Sequence, residues 1–248
     1  MEFIDHFSEN ADLYARARPT YPDALFAFIA AQSPARQHAW DCATGNGQAA
    51  LGLARHFESV EATDASAEQV GNAIAAPRVR YSVQGAERTD FPAASFDAVC
   101  VAQALHWFDL DRFYAEVKRV LRPRGVVAAW GYTRHQVTPE IDAAFEEHFL
   151  ALLKPYWPAQ NAKLWAGYRD EAFPFEPIEA PPFAIEMRWT LAQVIEYAGT
   201  WSATRRYIAE GDAGFLARAE AALAPAWGKA ERRVVTMPLQ LRCGRHVP

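Results

Sequence analysis

Cysteine is scarce in this chain. Only Cys42, Cys100 and Cys243 occur among 248 residues, and no two stand at a C-x-x-C spacing, so neither a dithiol redox motif nor a cysteine zinc site is encoded. Cys42 and Cys100 fall in apolar runs and read as buried thiols. The seven histidines form no H-x-x-x-H pair, and no metal is expected. Long hydrophobic runs are missing, and no charged-then-apolar leader opens the chain, so the expectation is a soluble cytoplasmic protein with no membrane partner. Basic charge is also short: the net charge is −5, which argues against nonspecific nucleic-acid binding. There is no internal repeat and no low-complexity tract.

What is present is ample material for a core. Hydrophobic residues make up 51% and aromatics 13%, enough for one large domain or one domain with an insertion. Residues 7–31 read as two helices split at Arg18-Pro19-Thr20-Tyr21-Pro22, with Pro22 suited to opening the second, 23–31. Strands are then expected at 39–43, 59–63, 79–83, 96–102 and 126–130. Helices are expected at 48–56, from Ser66, and at 109–121. Phe96 to Ala102 is nearly all apolar, as a strand buried on both faces should be. This alternation predicts a doubly wound, mostly parallel α/β sheet, seven-stranded. A helix over 139–153, an irregular Pro- and aromatic-rich stretch over 154–182, a strand at 183–189, helical spacing over 190–206 and 212–223, and a last strand at 233–243 complete the pattern. We read one domain: an N-terminal cap (1–35), a cofactor-binding core (36–135), and closing strands (136–248) with a helical lid inserted at about 190–231.

The chemistry concentrates at Asp41-Cys42-Ala43-Thr44-Gly45-Asn46-Gly47-Gln48 and at Asp64, nineteen residues after Gly45. Strand, glycine turn, helix, strand and carboxylate form the layout of a nucleotide-type cofactor site. Gly45 and Gly47 turn the chain tightly, and the following helix offers free N–H groups. Two ligand classes fit. Gly45-Asn46-Gly47-Gln48-Ala49-Ala50 matches the dinucleotide pattern G-x-G-x-x-G/A, which points to a nicotinamide oxidoreductase. Asp41 beneath the turn instead suits a cationic ligand without phosphates, S-adenosylmethionine. Methyl transfer is the weightier reading; a small-ligand binder without catalysis is the third. Tyr114-x-x-x-Lys118 mimics a dehydrogenase pair, but it lies in a helix beside Phe113 and Val117, without a matching serine.

The sequence over residues 7–131 resembles class I S-adenosylmethionine-dependent methyltransferases, the broad group that includes ubiquinone-biosynthesis and trans-aconitate methyltransferases. Asp41 to Gln48 resembles the family's D-x-G-x-G-x-G-Q motif. Ala62-Thr63-Asp64-Ala65-Ser66 resembles its ribose turn, Gly85-Ala86-Glu87 its adenine segment, and Arg119 to Val126 its R-V-L-x-P-G-G. Ala43 and Arg124 depart from it, each standing where glycine is usual. The resemblance implies cofactor contacts at Asp41, Ala43, Gly45, Gly47, Gln48, Asp64, Ala65, Ala86, Glu87 and Gln103, with Tyr14 and Arg18 from the cap. Glu87 reads equally as an ordinary acid at a helix start. His106 and Trp107 follow the fourth strand, near the transferred methyl. His106 is either a base or, as we favour, a pocket-shaping histidine, since a carboxylate acceptor needs no base. Tyr21, Trp130, Trp201 and Arg205 are the acceptor candidates, with Arg206 as the alternative to Arg205. The expected acceptor is a small organic acid methylated on oxygen, and the expected assembly is a monomer or homodimer.

Overall fold

The computed structural model describes residues 20–247. Within the segment 1–35, expected to form a cap, the described residues make one helix, α1 (Asp23–Gln32). The core then runs β1 (His38–Cys42), α2 (Gln48–Leu53), β2 (Ser59–Asp64), α3 (Ala67–Gly71), β3 (Val79–Val83), β4 (Phe96–Ala102), α4 (Leu110–Val120) and β5 (Leu121–Tyr132). After it come α5 (Pro139–Phe145), continued through a π-turn into α6 (Ala151–Leu153), then α7 (Asn161–Trp165), β6 (Glu176–Pro177) and β7 (Ala184–Trp189). Helices α8 (Leu191–Gly199), α9 (Ser202–Ala209) and α10 (Phe215–Trp227) precede β8 (Arg233–Arg245).

The sheet order is β3-β2-β1-β4-β5-β8-β6, with β7 also on β8. Pairings from β3 to β5 are parallel, and those made by β8 are antiparallel. The expected doubly wound sheet is present, with eight strands rather than seven among the described residues. The extra strand is the two-residue β6, which pairs with the last two residues of β8.

Alternation along the strands sorts the core into two faces. Ala39, Ala98, Cys100 and Ala128 face α1 and α2, beside Leu25, Phe26, Ile29 and Leu53. Trp40, Cys42, Val99, Val101 and Val127 face α4, beside Phe113 and Val117. Small residues on the first face let helices sit close. A Cβ at Gly52 of α2 would fall 2.1 Å from the Phe26 ring of α1. All three thiols are buried.

Three boundaries differ from expectation. α2 ends at Leu53 rather than residue 56, because the chain tightens into a turn through Phe57. β5 begins at Leu121, directly after α4. Pro123, Arg124 and Gly125 lie inside that strand, where its register with β4 shifts. Arg124 takes φ +66°, the left-handed conformation that the usual glycine would adopt freely. The helical segment 190–206 breaks into α8 and α9 at Thr200-Trp201, where Trp201 turns to extended backbone.

β8 explains how the closing region attaches. Its residues Leu239–Arg245 complete the main sheet against β5, while Arg233–Pro238 run on to pair with β7. Val235, in that overhang, packs in a separate core with Phe145, Phe149, Ile195, Phe215 and Leu223. Among the described residues, no helix is long and apolar enough to cross a membrane.

Candidate active site

The parallel strands β1, β2 and β4 end at one edge of the sheet, where α/β folds bind ligands. At the end of β1 the chain makes three left-handed residues, Ala43 (φ +55°), Gly45 (+56°) and Gly47 (+92°). Ala43 thus holds the conformation a glycine would relax. Gly45 is open: a methyl group added there would meet only the Gln69 amide oxygen, at 3.8 Å. Gly47 is not: the Tyr81 hydroxyl would lie 2.2 Å from an added Cβ. Its bare backbone therefore admits a side chain of this protein. Gln48 opens α2 directly behind Gly47.

Asp64, at the end of β2, braces this turn. One carboxylate oxygen accepts from the Gly45 N–H and the other from the Ser66 N–H, both at 2.9 Å. Ala65 beside it is exposed. Asp41 is fully buried. Its Oδ2 accepts from the Thr44 hydroxyl at 2.5 Å, while Oδ1 has no partner in hydrogen-bonding geometry. Burial raises its pKa to about 7, against the pull of the Thr44 hydroxyl and the nearby Ala50 N–H; Asp64 adds a smaller upward push. After burial, the carboxylates of Asp41, Glu87 and Asp64 all raise the Cys42 thiol further. Three acids thus set a negative field around the turn. Glu87 accepts from the Asp109 N–H at 3.2 Å, and Ala86 is buried beneath the edge in the Trp40 cluster.

β4 delivers the next group. Gln103 sits at φ +57°, donates its side-chain amide to the Tyr132 carbonyl at 3.2 Å, and leaves Oε1 buried without a partner. A 3-10 turn, Leu105–Trp107, then carries His106 and Trp107. Both line a cleft of about 130 Å³ shared with Gln103, Trp201 and Arg205. Five residues singled out from sequence, spread from β4 to α9, therefore meet in one place. Arg206 points elsewhere and donates to the Tyr156 carbonyl at 3.3 Å.

Tyr21 and Trp130 do not line this cleft. Their rings pack edge to face at 5.6 Å, Phe26 covers Trp130 from another side, and Trp130 is 1% exposed. They fix α1 to the sheet. Tyr14 and Arg18 lie outside the described residues. Sequence reading missed Trp157, Asn161 and Trp165 of the irregular stretch, together with Tyr132, Thr133, Tyr197 and Thr200. The one signal for them was the density of aromatics after Lys154. His106 is buried, and burial together with the Lys163 charge lowers its pKa to about 4. Its Nδ1 meets the Tyr168 hydroxyl at 3.0 Å. Among the described residues no group of His, Cys, Asp or Glu is assembled to hold a metal ion.

A doubly wound sheet with an acidic glycine turn at its carboxyl edge, facing an aromatic cleft, defines a nucleotide-cofactor enzyme fold. The particular family follows from likeness to known proteins. A family model described as a methyltransferase domain matches residues 40–129. A chain from Dictyostelium discoideum, named a methyltransferase, is 32% identical over 219 residues, covering 87% of this chain and 83% of its own. A solved structure from Anaeromyxobacter dehalogenans, described as a type II methyltransferase, is 46% identical with a TM-score of 0.87, covering 93% of this chain and 99% of its own. The chain belongs to the S-adenosylmethionine-dependent methyltransferases, and S-adenosylmethionine is its methyl donor. The same fold also serves other chemistry: a [4+2]-cyclase, SpnF, aligns over 97% of this chain at 17% identity with a TM-score of 0.54.

Proposed function

We propose that this enzyme methylates a small organic acid on a carboxylate oxygen, and that the cleft beside His106 and Trp107 holds that acceptor. The observation that carries the reading is the division of charge across one sheet edge. Asp41, Asp64 and Glu87 gather at the glycine turn, whereas Arg205 is the cation among the described residues of the cleft. When bound, the donor supplies a methyl group activated by positive sulfur. A cation without phosphate fits beside an unpartnered buried carboxylate oxygen, where a diphosphate would be repelled.

In this reading Asp41, Ala43, Gly45, Gly47, Gln48, Asp64, Ala65, Ala86, Glu87 and Gln103 hold the donor, with Tyr14 and Arg18 from the cap. Trp201 and Arg205 orient the acceptor from the inserted helices, which act as a lid over residues 190–231. The protein's contribution is orientation and exclusion of water. The division into cap, core and lid, and a monomeric or dimeric assembly, belong to the same proposal.

Calorimetry and thermal shift test the donor side. S-adenosylhomocysteine should bind and raise the Tm, and NADH should do neither. Turnover on a panel of carboxylic acids tests the acceptor side, since binding alone is equally compatible with a non-catalytic binder. Methylation of amines or phenols with no carboxylate turned over would refute the acid acceptor.

A further inference from the structure

The tautomer of His106 is fixed by what surrounds it. Tyr168 is 1% exposed, and its hydroxyl has one hydrogen-bond partner, His106 Nδ1. A buried O–H must donate to something. Here the acceptor is Nδ1, so the ring proton of a neutral imidazole resides on Nε2. The His106 backbone N–H also lies toward the phenol oxygen; an N–H can only donate, so it offers the hydroxyl proton no alternative to the ring. The ring stays neutral because burial holds its pKa near 4. Nε2 makes no hydrogen bond among the described residues, and His106 lines the cleft.

The chain is strained to place Tyr168. Gly167 and Tyr168 are consecutive left-handed residues, at φ +63° and +56°. Such backbone in a tyrosine persists only where its surroundings impose it. The Tyr168 N–H donates to the Lys163 carbonyl at 2.8 Å, and Arg242 donates to the Tyr168 carbonyl. Two anchors thus hold the residue on either side of its own α-carbon.

We propose that Tyr168 is a positioning residue that fixes His106 as a hydrogen-bond donor into the cleft, so that the acceptor meets it through an oxygen already deprotonated. This rests on the reading of the cleft as the acceptor site. Among its described lining residues there is no carboxylate, lysine or cysteine. With Nε2 carrying a proton, none of them can take one from an alcohol, phenol or ammonium group. A carboxylate needs no such help. Its lone pair forms the O–CH₃ bond as the C–S bond breaks, and that electron pair stays on sulfur. Anion and sulfonium become neutral ester and neutral thioether, with no proton released. His106 Nε2–H and the Arg205 guanidinium are both donors suited to hold the carboxylate before it reacts.

The decisive measurement is ¹⁵N NMR of the histidine rings in the full-length protein saturated with S-adenosylhomocysteine at pH 7. A neutral His106 ring with its proton on Nε2 is expected, changing to a mixture of tautomers in Tyr168→Phe. A proton on Nδ1, or an imidazolium, overturns the proposal, whether or not an acceptor is in hand. Kinetics with benzoate, phenylacetate, phenol and aniline as probes add a second arm. Carboxylate probes should turn over without proton release in an unbuffered assay. Tyr168→Phe should raise acceptor KM about tenfold and leave S-adenosylhomocysteine affinity in place. His106→Gln, which keeps an N–H donor but accepts no proton, should retain roughly a tenth of kcat/KM, against a loss above a hundredfold in His106→Leu. Phenol or aniline as sole substrate, with His106→Gln as inactive as His106→Leu, would establish a base instead. Failure to bind S-adenosylhomocysteine would count against the donor site alone and leave the nitrogen assignment standing.

Discussion

Asp64 does two jobs at the tip of β2, and they separate on mutation. Its carboxylate already satisfies the Gly45 and Ser66 amides without ligand. Asp64→Ala should therefore lower the stability of the free protein by about 1–3 kcal/mol, the cost of leaving hydrogen bonds to a charged group unmade. S-adenosylhomocysteine affinity should fall by a similar amount, read by calorimetry. Unchanged affinity with lowered Tm would leave Asp64 as a loop brace only. Asp41 behaves differently, because it is buried and incompletely paired. Its folded pKa of about 7 stands above the usual carboxylate value near 3.8. The native state therefore binds the extra proton between those values. The corresponding stability is complete below about pH 4 and is lost as pH rises through 7. Asp41→Asn should stabilise the free protein at pH 8 relative to pH 5, by about 3 kcal/mol at most, since about two pH units of the window lie between pH 5 and the folded pKa of about 7, while weakening S-adenosylhomocysteine. Chemical denaturation at the two pH values checks the first effect; an equal change at both would refute it.

At the scale of elements, the inserted helices and the sheet edge should separate functionally. Trp201 sits at the α8–α9 break, with its ring near Trp157, Phe149 and Tyr197. Trp201→Phe and Arg205→Ala should cut methyl transfer at least tenfold while S-adenosylhomocysteine affinity stays within about twofold, because the glycine turn lies on the sheet and not on α9. Parallel losses of both would make the insertion purely structural. The sequence shows why part of this region is legible. Strand 96–102 is readable to the residue, since a buried apolar run between turn formers admits one assignment. Strand 79–83, none of whose residues is buried, is readable only from the β-formers Val79, Tyr81 and Val83 alternating with polar residues. The placement of Asp41, Gly45, Asp64 and His106 at the carboxyl edge of the sheet is readable because each stands at or just after a predicted strand end. The cleft wall from Trp157 to Trp165 is not. Trp157 is an extended residue just after a 3-10 turn, and Asn161 to Trp165 form a five-residue helix, too short for any periodicity to read; their common destination is set by tertiary contact. Trp130 misleads for the converse reason: a strand-end aromatic resembles a pocket wall until α1 is seen covering it.

At the scale of the whole molecule, two histidines buried among the described residues shape the response to acid. His106 and His135 each have pKa values lowered to about 4, chiefly by burial, from about 6.5. Between those values the unfolded chain binds more protons than the native one, so stability rises with pH across the window and is lost as pH falls from about 6.5 toward 4. Each contributes about 3 kcal/mol at most. His135 packs against Phe145 with Nδ1 unpartnered, so His135→Leu should flatten the acid limb of a Tm–pH curve and leave its neutral value nearly unchanged. An unaltered slope would show that this imidazole is solvated before the protein unfolds.

The composition of the cleft has an optical consequence. Of the eight tryptophans in the chain, Trp107, Trp157, Trp165 and Trp201 border the same cleft. Half of the indole chromophores therefore share one small volume, close enough to exchange excitation, while Trp40 and Trp130 are sealed in the sheet core. Light absorbed anywhere in that group samples the same space, and an aromatic acid entering it would displace water from several emitters at once. The enzyme carries its own fluorometer, one that reads occupancy of this cleft without a label and so tests directly whether an acceptor binds there.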